Sequence, residues 1–404
     1  MSADRKFLYV AVFSRSLATG MIGVLLGVHL AALNMPASLV GLVVGLGLAG
    51  ATLATTLVTF FADRIGHRRC LLLITAFTVA GAVALTFTTN PWALGVAAFI
   101  GMVNGMGRDR GAALVIEQAA LPATGTDAER TMNFAKYNVL QDVGHAVGSL
   151  LAGVPSLLHA FAGVAPDVAQ RDAVWLYALL CAVPLLAYAR LSASIEAPHV
   201  RKSVTLTPDS RRTLTKISAL FAIDAVGGGF LTTALLSYFF YERFGVGANE
   251  IGLLFFVARI ANAASHFAAA WLARRIGLVN TMVFTHIPSS VLLLTVPFMP
   301  DFATAAILFL LRESLVEMDV PTRQSYVMAV VRPEERTFAS GITHLVRLGG
   351  WAIAPAFAGL LMTGHSLATP ILVGAAMKIC YDLALWRAFR AVKPPEESPR
   401  IPRP

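Results

Sequence analysis

Charge is scarce in this chain. Of its 404 residues only 14% are charged, against roughly a quarter in soluble globular domains, while 56% are hydrophobic. Mean hydropathy is +0.69, which excludes a water-soluble enzyme. Cysteine is also scarce. Cys70, Cys181 and Cys380 lie in or beside apolar runs with no CxxC spacing, so neither a disulfide framework nor a thiolate metal site is expected. No G-x-x-x-x-G-K-[ST] loop, H-E-x-x-H or G-x-S-x-G motif occurs, which removes the usual ATPase, zinc-protease and hydrolase signatures. No catalytic residue, metal ligand set or cofactor site is therefore assigned. What excess charge exists is positive, with 32 Lys and Arg against 23 Asp and Glu. It forms no continuous basic stripe interleaved with aromatics, so nucleic acid is not an expected partner.

Apolar runs of about 20 residues, each enough to cross a bilayer, fill the chain. Twelve spans are predicted, over 8–33, 38–62, 70–89, 92–121, 130–158, 173–193, 214–241, 248–273, 278–299, 302–331, 335–362 and 366–391. Breakers mark many joints, such as Asn34-Met35-Pro36, Asn90-Pro91 and Thr369-Pro370. A charged connection over 194–213 separates six spans from six. The first run is longer than the apolar core of a cleavable signal peptide, so the first helix is expected to be retained. On the side of the N-terminus the joints carry 21 Lys and Arg, and on the other side only Arg171 and Arg243. Cytoplasmic loops are the basic ones, so both termini are expected in the cytoplasm. The absence of an N-x-S/T sequon agrees with a bacterial inner membrane.

The two halves repeat. Arg64-Ile65-Gly66 returns as Arg275-Ile276-Gly277, and Glu129-Arg130-Thr131 as Glu335-Arg336-Thr337. An offset of 206 also pairs Gly144 with Gly350 and Gly153 with Gly359, and an offset of 209 pairs Gly20 with Gly229. Tandem repeats of parallel orientation are a transporter pattern. The loop Asp63-Arg64-Ile65-Gly66-His67-Arg68-Arg69 resembles the G-x-x-x-D-R-x-G-R-R signature of the major facilitator superfamily, with Thr59 at the first glycine and His67 replacing a basic residue. The resemblance, closest to bacterial proton-coupled efflux-type members, covers nearly the whole chain. It implies an all-α membrane protein with twelve transmembrane helices in two pseudo-symmetric six-helix bundles: 1–193, a cytoplasmic linker 194–213, and 214–404 with a short basic tail. It also implies a gating role for Asp63, Arg64, Gly66, Arg68, Arg69, Arg275 and Gly277, and a central cavity lined by helices 1, 4, 7 and 10.

Those four helices hold 12 of the 25 Asp, Glu, Lys and Arg residues within the spans, while the second, third and ninth hold none. Intramembrane charge is costly and marks interior faces and ion paths. The expected substrate and proton cavity comprises Arg15, Arg108, Asp109, Arg110, Glu117, Asp142, Asp224, Arg259, Arg312, Glu313, Glu317, Asp319, Arg323 and Arg347. Arg15 and Asp224 match at the 209 offset and are expected to pair. Arg110 with Glu117, and Arg312 with Asp319 and Arg323, are expected on single helix faces. Glu117, Glu317 and Asp319 are the candidate proton carriers. Lys378 and Asp382 read as a structural i, i+4 pair, and His29, His266 and His344 as possible shuttles.

Together these features suggest a monomeric secondary transporter that moves a small organic solute by alternating access, with proton-coupled export. One alternative is an organic-anion importer or uniporter binding through Arg15, Arg110, Arg259, Arg312 and Arg347. A membrane-embedded enzyme or a non-transporting sensor is disfavoured by the missing motifs and short loops. The topology is open to test. Single cysteines at Ser203 and Ser366, in a background without the native three, should label from opposite faces; outside labelling of both in intact cells would refute twelve spans.

Overall fold

The computed structural model describes residues 3–125, 130–192, 195–196, 207–329 and 335–390. Within them the side chains of residues 63, 123, 130, 131, 209, 321, 324, 325, 328, 329 and 336–338 are not described. Asp63 of the signature, most of the linker, and the repeat residues Glu129, Arg130, Thr131, Arg336 and Thr337 thus lie wholly or in their side chains outside the description.

Sixteen α-helices follow in order: α1 (Ala3–Ala32), α2 (Ala37–Ile65), α3 (His67–Leu85), α4 (Pro91–Gly101), α5 (Ala112–Ala120), α6 (Arg130–Leu151), α7 (Val154–Ala162), α8 (Pro166–Ala189), α9 (Pro208–Gly229), α10 (Thr233–Phe244), α11 (Ala248–Ile276), α12 (Leu278–Thr295), α13 (Phe302–Val316), α14 (Asp319–Ala329), α15 (Arg336–Gly364) and α16 (Thr369–Phe389). Eight spans are single helices. The fourth, fifth, seventh and tenth are each made of two, which corrects the expectation of continuous helices there. At 1.5 Å per residue, α4 and α5 rise about 16 and 14 Å, so neither alone crosses a hydrocarbon core of about 30 Å.

The breaks have local causes. Four glycines (Gly101, Gly105, Gly107, Gly111) punctuate the fourth span and Gly227-Gly228-Gly229 the seventh. Gly153 and Pro155 stand at the α6–α7 bend of 42°, and Pro321 lies in the first turn of α14, where its missing N–H matters least. Among the described residues nine spans are long and apolar enough to cross a membrane, and the bent α6–α7 pair is a tenth; taking α4 with α5 and α13 with α14 gives the twelve of two pseudo-symmetric six-helix bundles. The repeat is visible in the backbone. Gly66 (φ 100°) ends α2 and Gly277 (φ 86°) ends α11, each closing a 29-residue helix with a conformation that side chains disfavour. At the first of these turns the Glu196 carboxylate accepts from the N–H groups of His67 and Arg68, at 2.6 and 2.9 Å. Those are orphan donors at the start of α3, which the macrodipole also makes attractive to an anion.

Two compact units emerge from the packing. The first comprises residues 1–200, 229–259 and 351–370, and the second 201–228, 260–350 and 371–404. In the first, Leu8, Val12, Ile116, Tyr137, Tyr188 and Ile195 belong to one core. The core of the second includes Ile217, Phe221, Val283, Tyr326, Tyr381 and Leu385.

Small residues let backbones meet, the usual means of helix packing in lipid. A Cβ on Gly81 of α3 would overlap the Cα of Gly101 in α4. Gly81→Val should therefore destabilise the purified protein by about 1–3 kcal/mol, the range for overpacking. An unchanged melting temperature in detergent would contradict this α3–α4 contact.

Candidate functional site

Between α4 and α5 the chain runs without helix from Met102 to Gly111, carrying Arg108, Asp109 and Arg110 at mid-span. Non-helical backbone survives at membrane depth only where protein or a water-lined cavity satisfies it. Here nearby groups do so one by one. Asn104 accepts from the Met106 N–H (2.9 Å) and donates to the Arg108 carbonyl (2.7 Å). His145 Nε2 accepts from the Asp109 N–H at 2.9 Å, and Gln141 donates to the Asp109 carbonyl at 3.0 Å. The start of α10 contributes the Ala234 N–H to Gly105 O (2.9 Å) and the Thr233 hydroxyl to Met106 O (2.8 Å). Arg259 of α11 donates to Gly107 O at 3.1 Å. All of these groups belong to the first unit.

Beside the break sits the first charge cluster. Arg15, thirteenth of the thirty residues of α1, donates from Nε to Asp109 at 2.5 Å and from both terminal nitrogens to Glu117 at 2.8 and 2.7 Å. Glu117 is fully buried and also accepts from the hydroxyls of Tyr137 (2.5 Å) and Tyr188 (2.6 Å). Four charge-assisted donors therefore converge on one carboxylate. Arg110 lies outside the helix, 5.0 Å from the Trp351 ring centroid, a cation–π distance, so the expected Arg110–Glu117 helix face does not exist. Asp142 is exposed on α6.

The second unit holds another cluster. Asp224 of α9 is met by Lys378 at 2.8 Å, Arg323 at 3.3 Å and Arg347 at 3.8 Å. Arg323 also pairs with Asp319, four residues before it on α14, at 2.6 Å. His286 Nδ1 lies 3.0 and 2.9 Å from the two Asp382 oxygens, and Lys378 Nζ 3.4 Å from His286 Nε2. Arg312 bonds to Glu313, which also accepts from Asn262 at 2.8 Å. Glu317 caps the end of α13, and the break after it separates Arg312 from the Asp319–Arg323 helix.

Two expected pairings are thus corrected. Arg15 pairs with Asp109 and Glu117 rather than Asp224, because the break of the fourth span brings an acid directly to it. Lys378 reaches Asp224, and Asp382 reaches His286, so they are not partners of each other. Sequence reasoning missed Tyr137, Tyr188, Gln141, His145 and His286. The two histidines could have been found by asking which apolar spans carry an imidazole; the tyrosines carried no signal.

The clusters obey the repeat with charge inverted. The 206 offset relates Glu117 to Arg323, and the 209 offset relates Arg15 to Asp224. An Arg–Glu pair in one unit therefore corresponds to an Asp–Arg pair in the other. In the signature loop, Arg64 and Arg69 are exposed, Arg68 donates to the Ala189 carbonyl at 2.5 Å, and Arg275 stacks 4.4 Å from the Trp271 ring centroid. A cavity of about 550 Å³ opens elsewhere in the first unit, lined by His29, Thr86, Gln170 and Tyr241 among others; none of the cluster residues lines it.

Comparison with known proteins places the chain. The model of the Major Facilitator Superfamily matches residues 8–311 and 217–404, and the chain belongs to that superfamily: it is a membrane transporter, not an enzyme. The uncharacterized membrane protein YJR124C of Saccharomyces cerevisiae is 26% identical over 425 residues, spanning 97% of this chain and 95% of that protein. Among solved structures, the nucleoside transporter NupG superposes with a TM-score of 0.75 at 14% identity, over 96% of this chain and all of the other. A bacterial homolog of the human lysosomal transporter Spinster, inward-facing and occupied, gives 0.69 at 14%, covering 96% of each chain. The human organic anion transporter MFSD10 gives 0.58 at 15%, over 95% of this chain and 98% of the other.

A double-mutant cycle tests the first cluster. Arg15→Ala alone leaves two acids without their cation and should cost about 3–5 kcal/mol. Combined with Glu117→Gln the loss should fall short of the sum by about 0.5–3 kcal/mol. Strict additivity in denaturation would mean the two do not interact.

Proposed function

We propose that this chain is a secondary active transporter of the bacterial inner membrane, monomeric and with both termini cytoplasmic, that exports a small organic solute in exchange for protons. The division into bundles 1–193 and 214–404 about the linker 194–213 is part of this reading. The observation that carries it is the pair of charge-inverted clusters on spans 1 and 4 and on spans 7 and 10. Burying that much charge is expensive, and a pairing that can be exchanged is a device for switching between states. Among the other intramembrane charges, Arg108, Arg110, Arg259, Arg312, Glu313 and Glu317 supply polar handles for solute.

Alternating access has a physical basis in the first unit. A Cβ on Gly27 of α1 would overlap the Ala234 carbonyl of α10, and one on Gly41 of α2 would overlap the Pro355 carbonyl of α15. Ser38 N–H also donates to Thr363 Oγ1 at 2.9 Å. These contacts join the early and late spans at the end away from Ala3, which this topology makes the outer end. On this reading the outer end is the closed one. Asp63, Arg64, Gly66, Arg68 and Arg69, with Arg275 and Gly277, act at the opposite end as the gating loops.

A second reading, transport of an organic anion without protons, draws on the guanidinium of Arg110 against Trp351 and on that of Arg259 at the Gly107 carbonyl. One experiment separates the two. Thermal shift of the purified protein should be screened over nucleosides, organic anions and cationic drugs, the first two being the classes named for NupG and MFSD10. The stabilising solute should then be followed in proteoliposomes together with internal pH. Solute movement that drives counter-movement of protons supports exchange; movement indifferent to a pH gradient and competed by anions would favour the second reading.

A further inference from the structure

Buried acids and histidines of the two clusters differ in what they would lose by accepting a proton. Glu117 would have to displace or reverse one of four donors. Asp319 would surrender a 2.6 Å contact with Arg323. His145 accepts the Asp109 N–H with Nε2, so protonation there would unpin the broken backbone of the fourth span. His286 stands apart. As a neutral ring it donates from Nδ1 to Asp382 and accepts at Nε2 from Lys378, the network itself assigning the tautomer. The Lys378 contact is long, at 3.4 Å. A proton on Nε2 would end that one weak bond, leave Lys378 its 2.8 Å bond to Asp224, and turn the 2.9 Å contact with Asp382 into an ion pair.

Lys378, Tyr381 and Asp382 face the imidazole network from α16, Asp224 from α9, Asp319 and Arg323 from α14, and Arg347 from α15. Asp224, Asp319 and Asp382 balance Lys378, Arg323 and Arg347 while the ring is neutral. One proton unbalances the set by +1. The cation displaced from the ring is Lys378, whose other partner, Asp224, is shared with Arg323 and Arg347. A tighter Lys378–Asp224 bond weakens the hold of Asp224 on both arginines. The proton is thereby communicated to the tenth and eleventh spans.

We propose that His286 and Asp382 form the dyad that takes up and releases the coupled proton, with Lys378 relaying its arrival to Asp224. This rests on the proton-coupled reading above and moves the proton site from the acids of spans 4 and 10 to spans 9 and 12. Histidine is the side chain suited to exchange at physiological pH.

The test uses the full chain in nanodiscs with ¹⁵N-labelled histidine, titrated by NMR from pH 5 to 9. One imidazole should begin as the neutral Nδ1–H tautomer and become doubly protonated within that range. Its signal should vanish in His286→Asn, and its midpoint should be displaced by at least one pH unit in Asp382→Asn, which also assigns the signal if the first variant fails to fold. A ring that stays neutral throughout, or a curve unmoved by Asp382→Asn, overturns the dyad. In proteoliposomes, a wild type that moves no protons with its solute refutes the coupled reading. An unchanged proton-to-solute ratio in both variants refutes the dyad alone.

Discussion

A helix interrupted in hydrocarbon leaves N–H and C=O groups that water cannot reach, each costing several kcal/mol if unmet. The ten-residue gap in the fourth span imposes that constraint, and much of the first unit is arranged to meet it. Asn104 folds back on the segment, α6 brings Gln141 and His145, and α10 and α11 bring Ala234, Thr233 and Arg259. Only once the helix has ended does Asp109 reach Arg15. The backbone break and the buried ion cluster are one feature, because the same residues that cap the chain also orient the acid.

The second unit solves a related problem without so long a gap. Its cluster hangs on side chains from α9, α12, α14, α15 and α16: Asp224 and Asp319 share Arg323, Asp224 also meets Lys378 and Arg347, and His286 joins Asp382 to Lys378. Residues at matching positions of the sequence repeat carry opposite signs: Arg15 for Asp224 and Glu117 for Arg323. In the first unit the carboxylates meet arginine and tyrosine, donors that hold their protons near neutrality. In the second they meet lysine and histidine as well. The two clusters therefore differ in the chemistry of their partners.

Much of the fold was legible in the residues. The twelve spans, the six-plus-six repeat and the paired turns at Gly66 and Gly277 follow from apolar runs, breakers and recurring triplets. The breaks were less so. Gly101, Gly105, Gly107 and Gly111 look like the small residues that ease helix packing, and an apolar average over twenty residues does not register ten of them leaving the helix. The individual charges of the site were visible because charge is rare in such spans. Their pairing was not, since it depends on which helices touch. Reading Arg110 with Glu117 and Lys378 with Asp382 assumed that neighbours on one helix are partners. Tyr137 and Tyr188 are ordinary apolar-span residues until the fold brings both hydroxyls to Glu117.

The end of the first unit away from Ala3 packs backbone against backbone, Gly27 on Ala234 and Gly41 on Pro355. A gap of 0.5–1 Å between such surfaces forfeits about a quarter to a half of their dispersion attraction, and the polar ties are few: Tyr238 donates to the Met35 carbonyl at 3.4 Å and Ser38 N–H to Thr363 Oγ1 at 2.9 Å. If the solute path opens at this end, as proposed, such a seam would act as a latch rather than a spring, its dwell time set by the whole seam releasing together.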